Sequence, residues 1–506
     1  DKGYELPKFH LEAVRQPTHD EPTWLDCGAG NIFRAFPAAP LQRVLDAGAY
    51  DRGVIVAEGF DYEIIDKAYR PYDNMSLLVL LKSDGSIEKR VVASVTESLK
   101  ADPQFGADWD RLVEIFRKPS LQMVSFTITE KGYSVSPADL ERGAEPQLIM
   151  GKVTALLYER YQAGALPITV QSMDNCSHNG DKVRSAAMAY AEAWVKAGLV
   201  PQDFLEYLKD ESKVSFPWSM IDKITPRPDA KVQKMLEEDG FEDNYTIITD
   251  RHTYTAPFVN AEETEYLVIE DQYTNGRPPL EQGGVLYADR ETVDKVEKMK
   301  VCTCLNPLHT AMSIYGCLLD YTLISAEMKD EDLCGLITKM GYIEAMPVVV
   351  DPGVLKPADF IGAVLNKRLP NPFMPDAPQR IATDTSQKLS IRFGETIKSY
   401  QAKGLNELVL IPLVLAGYAR YLKGVNDAGK PFEPSPDPLL EELQAIVAPL
   451  EIREGAQDMS CLKQLYTRKD VFGLDLYEAG LGEKIEAMAA ELFAGPGAVR
   501  KTLHKY

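Results

Sequence analysis

The residues of this chain best suited to acid–base chemistry lie in one short stretch. Lys300, Asn306 and His309 offer an amine, a carboxamide and an imidazole close together in the sequence. A second carboxamide, Asn175, follows Asp174 far upstream. Oxidising a secondary alcohol requires a base for the hydroxyl proton, donors for a developing oxyanion and a hydride acceptor. These residue types therefore predict proton transfer at an oxygen atom, while a cofactor handles the hydride.

A lysine acts as the base only when its pKa falls from about 10.4 toward 7–8, through burial or neighbouring positive charge. Lys300 and His309 are nine residues apart, which on a regular α-helix would place them on opposite sides, roughly 180° apart around the axis. Pro307 disturbs such a helix, because it lacks the N–H that would bond the carbonyl of Thr303. Two arrangements let the groups converge. In the first, one residue loops out in a π-bulge, and the angle between Lys300 and His309 around the helix axis falls to roughly 80°. In the second, Asn306 caps a helix that begins at Pro307.

A glycine-containing turn near the amino terminus predicts a dinucleotide site. Gly28 and Gly30 follow a predicted strand at residues 24–27, and Asn31 opens a helix. Such a turn lets backbone N–H groups approach a pyrophosphate closely. Phe33 replaces the third glycine of the usual pattern, so a plain strand–turn–helix corner is the alternative interpretation.

Two acids follow the next predicted strand, at residues 54–57. Glu58 is placed to accept a hydrogen bond from a ribose 2′-hydroxyl, and Asp61 could serve instead. Either acid could also be simply solvated. Because a carboxylate in this place would repel a 2′-phosphate, the sequence predicts NAD in preference to NADP.

Strand and helix patterns alternate through the first half of the chain. Strands are predicted at residues 24–27, 54–57, 123–129 and 166–172, a hairpin at 77–95, and a helix at 147–162. Helical periods dominate after about residue 300, at residues 310–324, 390–401, 407–422 and 439–447. The sequence therefore predicts an α/β fold. A Rossmann-like parallel-sheet domain would span residues 1–296, and a mainly α-helical domain would span residues 297–506.

Composition limits the possible functions. The chain has 506 residues, too many for one hydrophobic core, and a formal charge of −21. That charge argues against nucleic acid as the main partner, because phosphate binding needs clustered Lys and Arg. The 7 scattered cysteines fit a reducing compartment, and the longest apolar run, residues 408–419, is about half a bilayer span. We expect a cytoplasmic protein with no membrane partner.

Several segments resemble the polyol-specific long-chain dehydrogenases, the mannitol dehydrogenase family. In chain order they are GAGNIFRA at 28–35, TEKGY at 129–133, DNCSHNG at 174–180, FPWSMIDKITP at 216–226, KVCTCLNPLH at 300–309 and YLKGV at 421–425. The likeness is greatest to the sugar-acid branch of the family. One departure is that Lys300 and Asn306 are six residues apart, where the family spacing is five.

The resemblance implies a role for each motif residue. The catalytic residues would be Lys300 as general acid/base, Asn175 and Asn306 as ligands of the reacting oxygen, and His309 as the group that orients the substrate. Glu297 would pass the proton toward solvent, although a charged helix surface explains it equally well. Substrate contacts are implied for Asp222, Arg380 and Lys388. Cofactor contacts are implied for Gly28, Gly30, Asn31, Phe33, Arg34, Glu58, Glu130 and Lys131.

The activity implied by the resemblance is NAD-dependent, metal-independent interconversion of a sugar acid and its keto form, with mannonate and fructuronate ahead of mannitol and fructose. Mannitol 2-dehydrogenase and tagaturonate reductase are alternatives within the family. A zinc dehydrogenase would have to use Cys302, Cys304 and His309, whose spacing is poor. A nucleotide-binding protein without catalysis is the alternative from another class. The substrate's stereochemistry and the choice between monomer and dimer stay open.

Overall fold

The computed structural model describes residues 1–142, 145–404 and 407–506. The chain divides into two compact units. The first unit comprises Asp1–Lys82 and Ser86–Asp294, and the second comprises Ser83–Gly85 and Lys295–Tyr506. A division is expected, since a single hydrophobic core rarely serves a chain of this length.

A six-stranded parallel sheet forms the centre of the first unit. In order across the sheet, its strands are Val95–Lys100, Val54–Glu58, Trp24–Cys27, Met123–Phe126, Ile168–Ser172 and Val214–Ser215. Counted along the chain, this is the order 3-2-1-4-5-6 of a Rossmann sheet. The predicted parallel α/β fold is confirmed. In such sheets, ligands bind outside the carboxyl ends of the strands, where the strand order reverses.

The sheet separates two apolar cores. Along its first strand, Leu25 and Cys27 belong to one core and Trp24 to the other, because successive side chains of a strand point to opposite faces. The helices on the Leu25 side are Gly106–Arg117, Ile149–Gln162, Asn179–Lys196 and Gln202–Lys209. Those on the Trp24 side are Leu11–Asp20, Asn31–Ala35 and Ala38–Asp46. Both faces of the sheet are therefore buried, as parallel sheets require.

Smaller sheets complete the first unit. One has the strand order Tyr4–Glu5, Ile87–Val92, Ser76–Leu81 and Phe258–Glu262. Its central antiparallel pair confirms the predicted hairpin. A second has the order Ser219–Asp222, Tyr266–Glu270 and Leu286–Ala288. A short hairpin joins Ile247–Ile248 to Tyr254–Thr255, and two further α-helices are Pro137–Arg142 and Ala230–Glu238.

The second unit is helical, as predicted. Its α-helices are Asn306–Leu318, Ile324–Glu327, Glu331–Lys339, Pro357–Ala363, Pro378–Ile381, Glu395–Gln401, Leu410–Leu422, Leu440–Val447, Leu462–Tyr466, Lys469–Phe472, Gly482–Leu492 and Ala498–Lys505. π-helical turns occur at Lys300–Cys304, Met340–Ala345, Val364–Arg368 and Ser390–Gly394. Every residue of Leu410–Leu422 is buried. Among the described residues, no helix combines the length and apolar character needed to cross a membrane.

Candidate active site

The turn after the first strand has the geometry of a phosphate-binding turn. Gly28 has a φ of 121°, and a Cβ there would lie 2.2 Å from the carbonyl oxygen of Thr127. Only glycine satisfies both conditions. At Gly30, by contrast, no described atom lies within 4 Å of the place a Cβ would take. The turn is thus closely packed at its first glycine and open at its second, so a pyrophosphate can approach the backbone there.

The helix that follows the turn is anchored from inside the unit. Phe33 is completely buried in the core. The buried guanidinium of Arg34 donates to the hydroxyl groups of Ser76 at 2.9 Å and Thr255 at 3.1 Å, and burial lowers its pKa. Asn31 accepts a hydrogen bond from the Thr255 hydroxyl at 3.2 Å. The side chains of Phe33 and Arg34 therefore support the turn from within the fold.

The two candidate acids of the ribose site have different surroundings. The Glu58 carboxylate accepts hydrogen bonds from the backbone N–H groups of Ala29 (2.9 Å), Phe60 (2.9 Å) and Asp61 (3.0 Å). It therefore clamps the phosphate turn to the end of the second strand. Asp61 Oδ2 accepts from the Thr249 hydroxyl at 2.6 Å, but its buried Oδ1 has no hydrogen-bond partner among the described residues. A buried acceptor without a donor is costly, so Asp61 fits a ribose hydroxyl better than Glu58 does.

The hairpin formed by residues 247–255 lies beside the phosphate turn and the loop that contains Asp61. Besides the Thr249 contact, the backbone oxygen of Tyr254 accepts from the Asn31 carboxamide at 3.1 Å. The backbone N–H of Asp250 donates to Glu63 at 2.7 Å. The hairpin lies outside the motifs that carry the family resemblance, and no short-range pattern connects it with the turn. Sequence reasoning therefore missed this wall of the site.

Asp174 holds in place the loop that follows the strand Met123–Phe126. Its buried carboxylate accepts from the backbone N–H of Thr129 at 2.9 Å and from the hydroxyl of Tyr133 at 2.5 Å. Burial raises the pKa of Asp174, and these hydrogen bonds oppose that effect. Asp174 thus fixes the segment that contains Glu130 and Lys131, both of which are exposed.

A cavity of about 510 Å³ opens beside that segment, against the helix that begins at Asn179. Lys182 in its wall pairs with Glu130 at 2.7 Å. His178, also in its wall, stacks on Trp218 with 3.9 Å between ring centroids. The cavity therefore gives a ligand room beside this segment.

The helix Arg290–Met299 runs directly into the π turn Lys300–Cys304. The N–H of Leu305 donates to the carbonyl of Lys300 at 3.1 Å, which closes the wide turn. The next helix starts at Asn306 with Leu305 as its N-cap. Of the two arrangements that the sequence left open, the π-bulge is confirmed, and the one in which Asn306 caps the helix is wrong.

The residues predicted for catalysis differ in burial. Lys300 is only 5% exposed and Asp222 only 7%. Asn306, His309 and Glu297 are half-buried, and Asn175 is exposed. Asn175 and Asp222 belong to the first unit and the others to the second. Their convergence on one substrate stays a prediction.

The second unit also contains the implied arginine–lysine pair. The Arg380 side chain is 68% exposed and forms an ion pair with Asp376. Lys388 donates to the backbone oxygen of Ile381 at 3.2 Å, and its pKa is lowered by burial and by the neighbouring Arg392. The motifs that imply Arg380 and Lys388 do not include Arg392. Arg392 lies four residues after Lys388, a spacing typical of one helix face, and this spacing could have connected the two residues in the sequence.

The structure argues against the zinc alternative. Burial raises the pKa of the Cys302 thiol to about 11 and that of Cys304 to about 12. The Cys304 sulfur lies 3.8 Å from the backbone oxygen of Pro357. In the described part of the chain, Cys302, Cys304 and His309 do not bring their ligand atoms close enough together to form a metal-binding group. The three residues are therefore poorly suited to hold zinc.

The sheet order and the phosphate turn place this chain among the dinucleotide-binding dehydrogenases. Comparison with known proteins narrows the class. Residues 23–282 match the family model of the mannitol dehydrogenase Rossmann domain, and residues 292–492 match that of the mannitol dehydrogenase C-terminal domain. The chain belongs to the mannitol dehydrogenase family, and the resemblance seen in the sequence is confirmed.

Individual relatives extend this finding. The chain is 50% identical to a D-mannonate oxidoreductase of Thermotoga maritima, over 99% of this chain and 96% of that protein. It is 27% identical to a polyol:NADP oxidoreductase of Gluconobacter oxydans, over 89% of each. Among solved structures, it resembles the Pseudomonas fluorescens mannitol 2-dehydrogenase complex with NAD and D-mannitol, with 25% identity, a TM-score of 0.68 and coverage of 99% and 96% of the two chains. A D-sorbitol dehydrogenase shares the fold, with 24% identity, a TM-score of 0.81 and coverage of 99% and 97%.

Proposed function

We propose that this protein is an NAD-dependent oxidoreductase that interconverts D-mannonate and D-fructuronate. The observation that carries the proposal is the 50% identity with a D-mannonate oxidoreductase along nearly the whole of both chains. The presence of Lys300, Asn175, Asn306 and His309 supports catalysis over nucleotide binding alone. The substrate is thus a small sugar acid.

The described residues fit NAD. Gly28 and Gly30 would let the pyrophosphate approach the backbone, and Asp61 Oδ1 would accept from a ribose hydroxyl, which supplies the donor that this buried oxygen lacks. Glu58 and Asp61 together would repel a 2′-phosphate, which favours NAD over NADP. When bound, NAD supplies the acceptor for the hydride that leaves the carbinol carbon.

The chain's own residues then handle the proton and the oxygen. Lys300 takes the hydroxyl proton as the general base while the carbon–oxygen double bond forms. Asn175 and Asn306 donate carboxamide N–H groups to the oxygen as negative charge develops on it. His309 orients the substrate, and Glu297 passes the proton from Lys300 toward solvent. Reduction of the ketone follows the same path in reverse.

A substrate panel tests this proposal. Purified protein with NAD is offered D-mannonate, D-altronate, D-mannitol and D-arabinitol, and NADH formation is followed by absorbance. We expect the highest kcat/KM with D-mannonate, with Lys300→Ala as the inactive background. A higher kcat/KM with either polyol would overturn the sugar-acid assignment. Tight binding of NADH without turnover of any compound would instead favour the non-catalytic alternative.

A further inference from the structure

Arg392 lies next to the helix that carries His309. It belongs to the π turn Ser390–Gly394, and its Nη1 donates to the hydroxyl of Thr310 at 2.7 Å. Thr310 directly follows His309 in the sequence. One guanidinium nitrogen is thus fixed within one residue of a group implied to orient the substrate.

A second contact attaches the same segment to the turn that carries Lys300. The hydroxyl of Thr396, in the helix that continues from the π turn, donates to the backbone oxygen of Cys302 at 3.2 Å. Cys302 is part of the π turn that begins at Lys300. The backbone around Arg392 is therefore held against both parts of the lysine–histidine motif, and all of these contacts lie within the second unit.

Arg392 and Lys388 form a half-buried cationic pair. Burial lowers the pKa of Arg392 to about 10, and burial together with Arg392 lowers that of Lys388. Among the described residues, neither forms an ion pair with a carboxylate within 4 Å. Asp384 and Asp437 are more distant acids that also act on Lys388, and the oxygens of Asp437 already accept from the backbone N–H and the hydroxyl of Ser386.

Two partly desolvated cations, with no carboxylate of the described residues within 4 Å of either, are suited to binding an anion. Thr310 occupies one of the five N–H donors of Arg392 and leaves others for a carboxylate, which arginine can bind through two parallel hydrogen bonds. Arg380 is less suited, because Asp376 already pairs with its exposed side chain. The side-chain hydrogen bond of Arg392 reaches the helix that carries His309, whereas those of Arg380 to Asp376 and of Lys388 to Ile381 lie outside that helix.

We propose that Arg392, together with Lys388, binds the carboxylate of a sugar-acid substrate and so separates sugar acids from polyols. This inference rests on the proposed function and names the residue that would confer its substrate class. Arg392 is a binding residue for the end of the substrate remote from the reacting hydroxyl. The sequence motifs that identify the family do not include it.

Binding to the non-reacting complex of enzyme and NADH isolates this role, because D-mannonate cannot be oxidised there. Dissociation constants for D-mannonate and for its neutral amide, D-mannonamide, are measured by NADH fluorescence. The variants are Arg392→Gln and Arg392→Lys. The matched control is Lys398→Gln, which removes an exposed lysine that pairs with Glu395 at 3.1 Å.

In the wild type, we expect D-mannonate to bind more tightly than the amide. Arg392→Gln should weaken the binding of D-mannonate by about 10–100-fold and the binding of the amide by less than about 3-fold. Arg392→Lys should restore part of the preference for the carboxylate. The Kd of NADH should stay within about 2-fold in every variant, and Lys398→Gln should match the wild type.

The inference would be overturned if Arg392→Gln weakened the binding of D-mannonate and of the amide equally. It would also be overturned if both variants still bound D-mannonate more tightly than the amide. Either result leaves the proposed function intact, provided that the wild type oxidises D-mannonate. A wild type that oxidises a polyol and not D-mannonate would overturn the proposed function, and this inference with it.

Discussion

Glu327 should make the stability of the second unit depend on pH. It ends the short helix Ile324–Glu327, is 0% exposed, and neither of its carboxylate oxygens has a hydrogen-bond partner among the described residues. It fits because residue 316 is glycine, where a Cβ would lie 2.5 Å from its Oε1. Burial, with a smaller contribution from Asp330, raises its pKa to about 9.

The sign of the effect follows from the two protonation states. Unfolded chain releases this proton near pH 4.5, whereas native protein keeps it until about pH 9. Stability that is fully present below pH 4.5 is therefore lost progressively as the pH rises toward 9. The slope is about 1.4 kcal/mol per pH unit, so the loss between pH 5 and pH 8 is about 4 kcal/mol.

Glu327→Gln removes the titration while keeping the side-chain shape. We expect the free energy of unfolding of Glu327→Gln, relative to wild type, to rise with that slope between pH 5 and 8. In thermal denaturation, the gap in Tm should widen by about 8–16 °C over this range. The control is Glu454→Gln, which removes a carboxylate from an exposed position of the same unit and therefore tests the effect of losing one negative charge without the effect of burial. Parallel curves for wild type and Glu327→Gln across this pH range would refute the reasoning.

Three further predictions concern the active site. Lys300→Ala should lower kcat by about 10²–10⁴-fold and leave the Kd of NADH within about 2-fold; a comparable loss of NADH affinity would contradict the acid/base role. Thr249→Val removes the hydrogen bond to Asp61 Oδ2 and should raise the Kd of NADH by about 3–10-fold. Thr246→Val, at an exposed position of the same segment, should leave that Kd unchanged. Equal effects of the two variants in fluorescence titrations would rule out support of Asp61 by the hairpin. Gly28→Ala should abolish NADH binding or lower Tm by more than 5 °C, because its Cβ would meet a carbonyl oxygen at 2.2 Å; unchanged binding and Tm would show that the turn adjusts.

Buried strands of four or five residues could be predicted from the sequence, and a two-residue strand could not. Every residue of Trp24–Cys27 and of Ile168–Ser172 is buried, as in parallel strands that are covered on both faces. Val214–Ser215 has only two residues, too few to show a period. The predicted hairpin extends to residue 95, whereas its second strand ends at Val92, and the separate strand Val95–Lys100 was not predicted. A two-residue break between strands is not visible in an apolar pattern.

At the site, local chemistry was predictable and long-range pairing was not. Pro307 and the number of residues after Lys300 were enough to predict that a regular helix is interrupted here, and they left the π-bulge as one of two arrangements. The Thr249–Asp61 hydrogen bond joins residues 188 positions apart, and the Arg392–Thr310 hydrogen bond joins residues 82 apart. No period or motif encodes such pairs, since they depend on how whole elements pack.

The π turn at Lys300–Cys304 lets the chain vary in length at a closely constrained place. A π turn takes up one extra residue while the helix continues on either side, so an insertion here need not disrupt the flanking helices. A pattern search that fixes the lysine-to-asparagine spacing at five would miss this chain, and an alignment with relatives of that spacing would open a gap here. Such a gap would fall within a wide helical turn, and it should not be taken as a sign that the lysine–histidine motif has decayed.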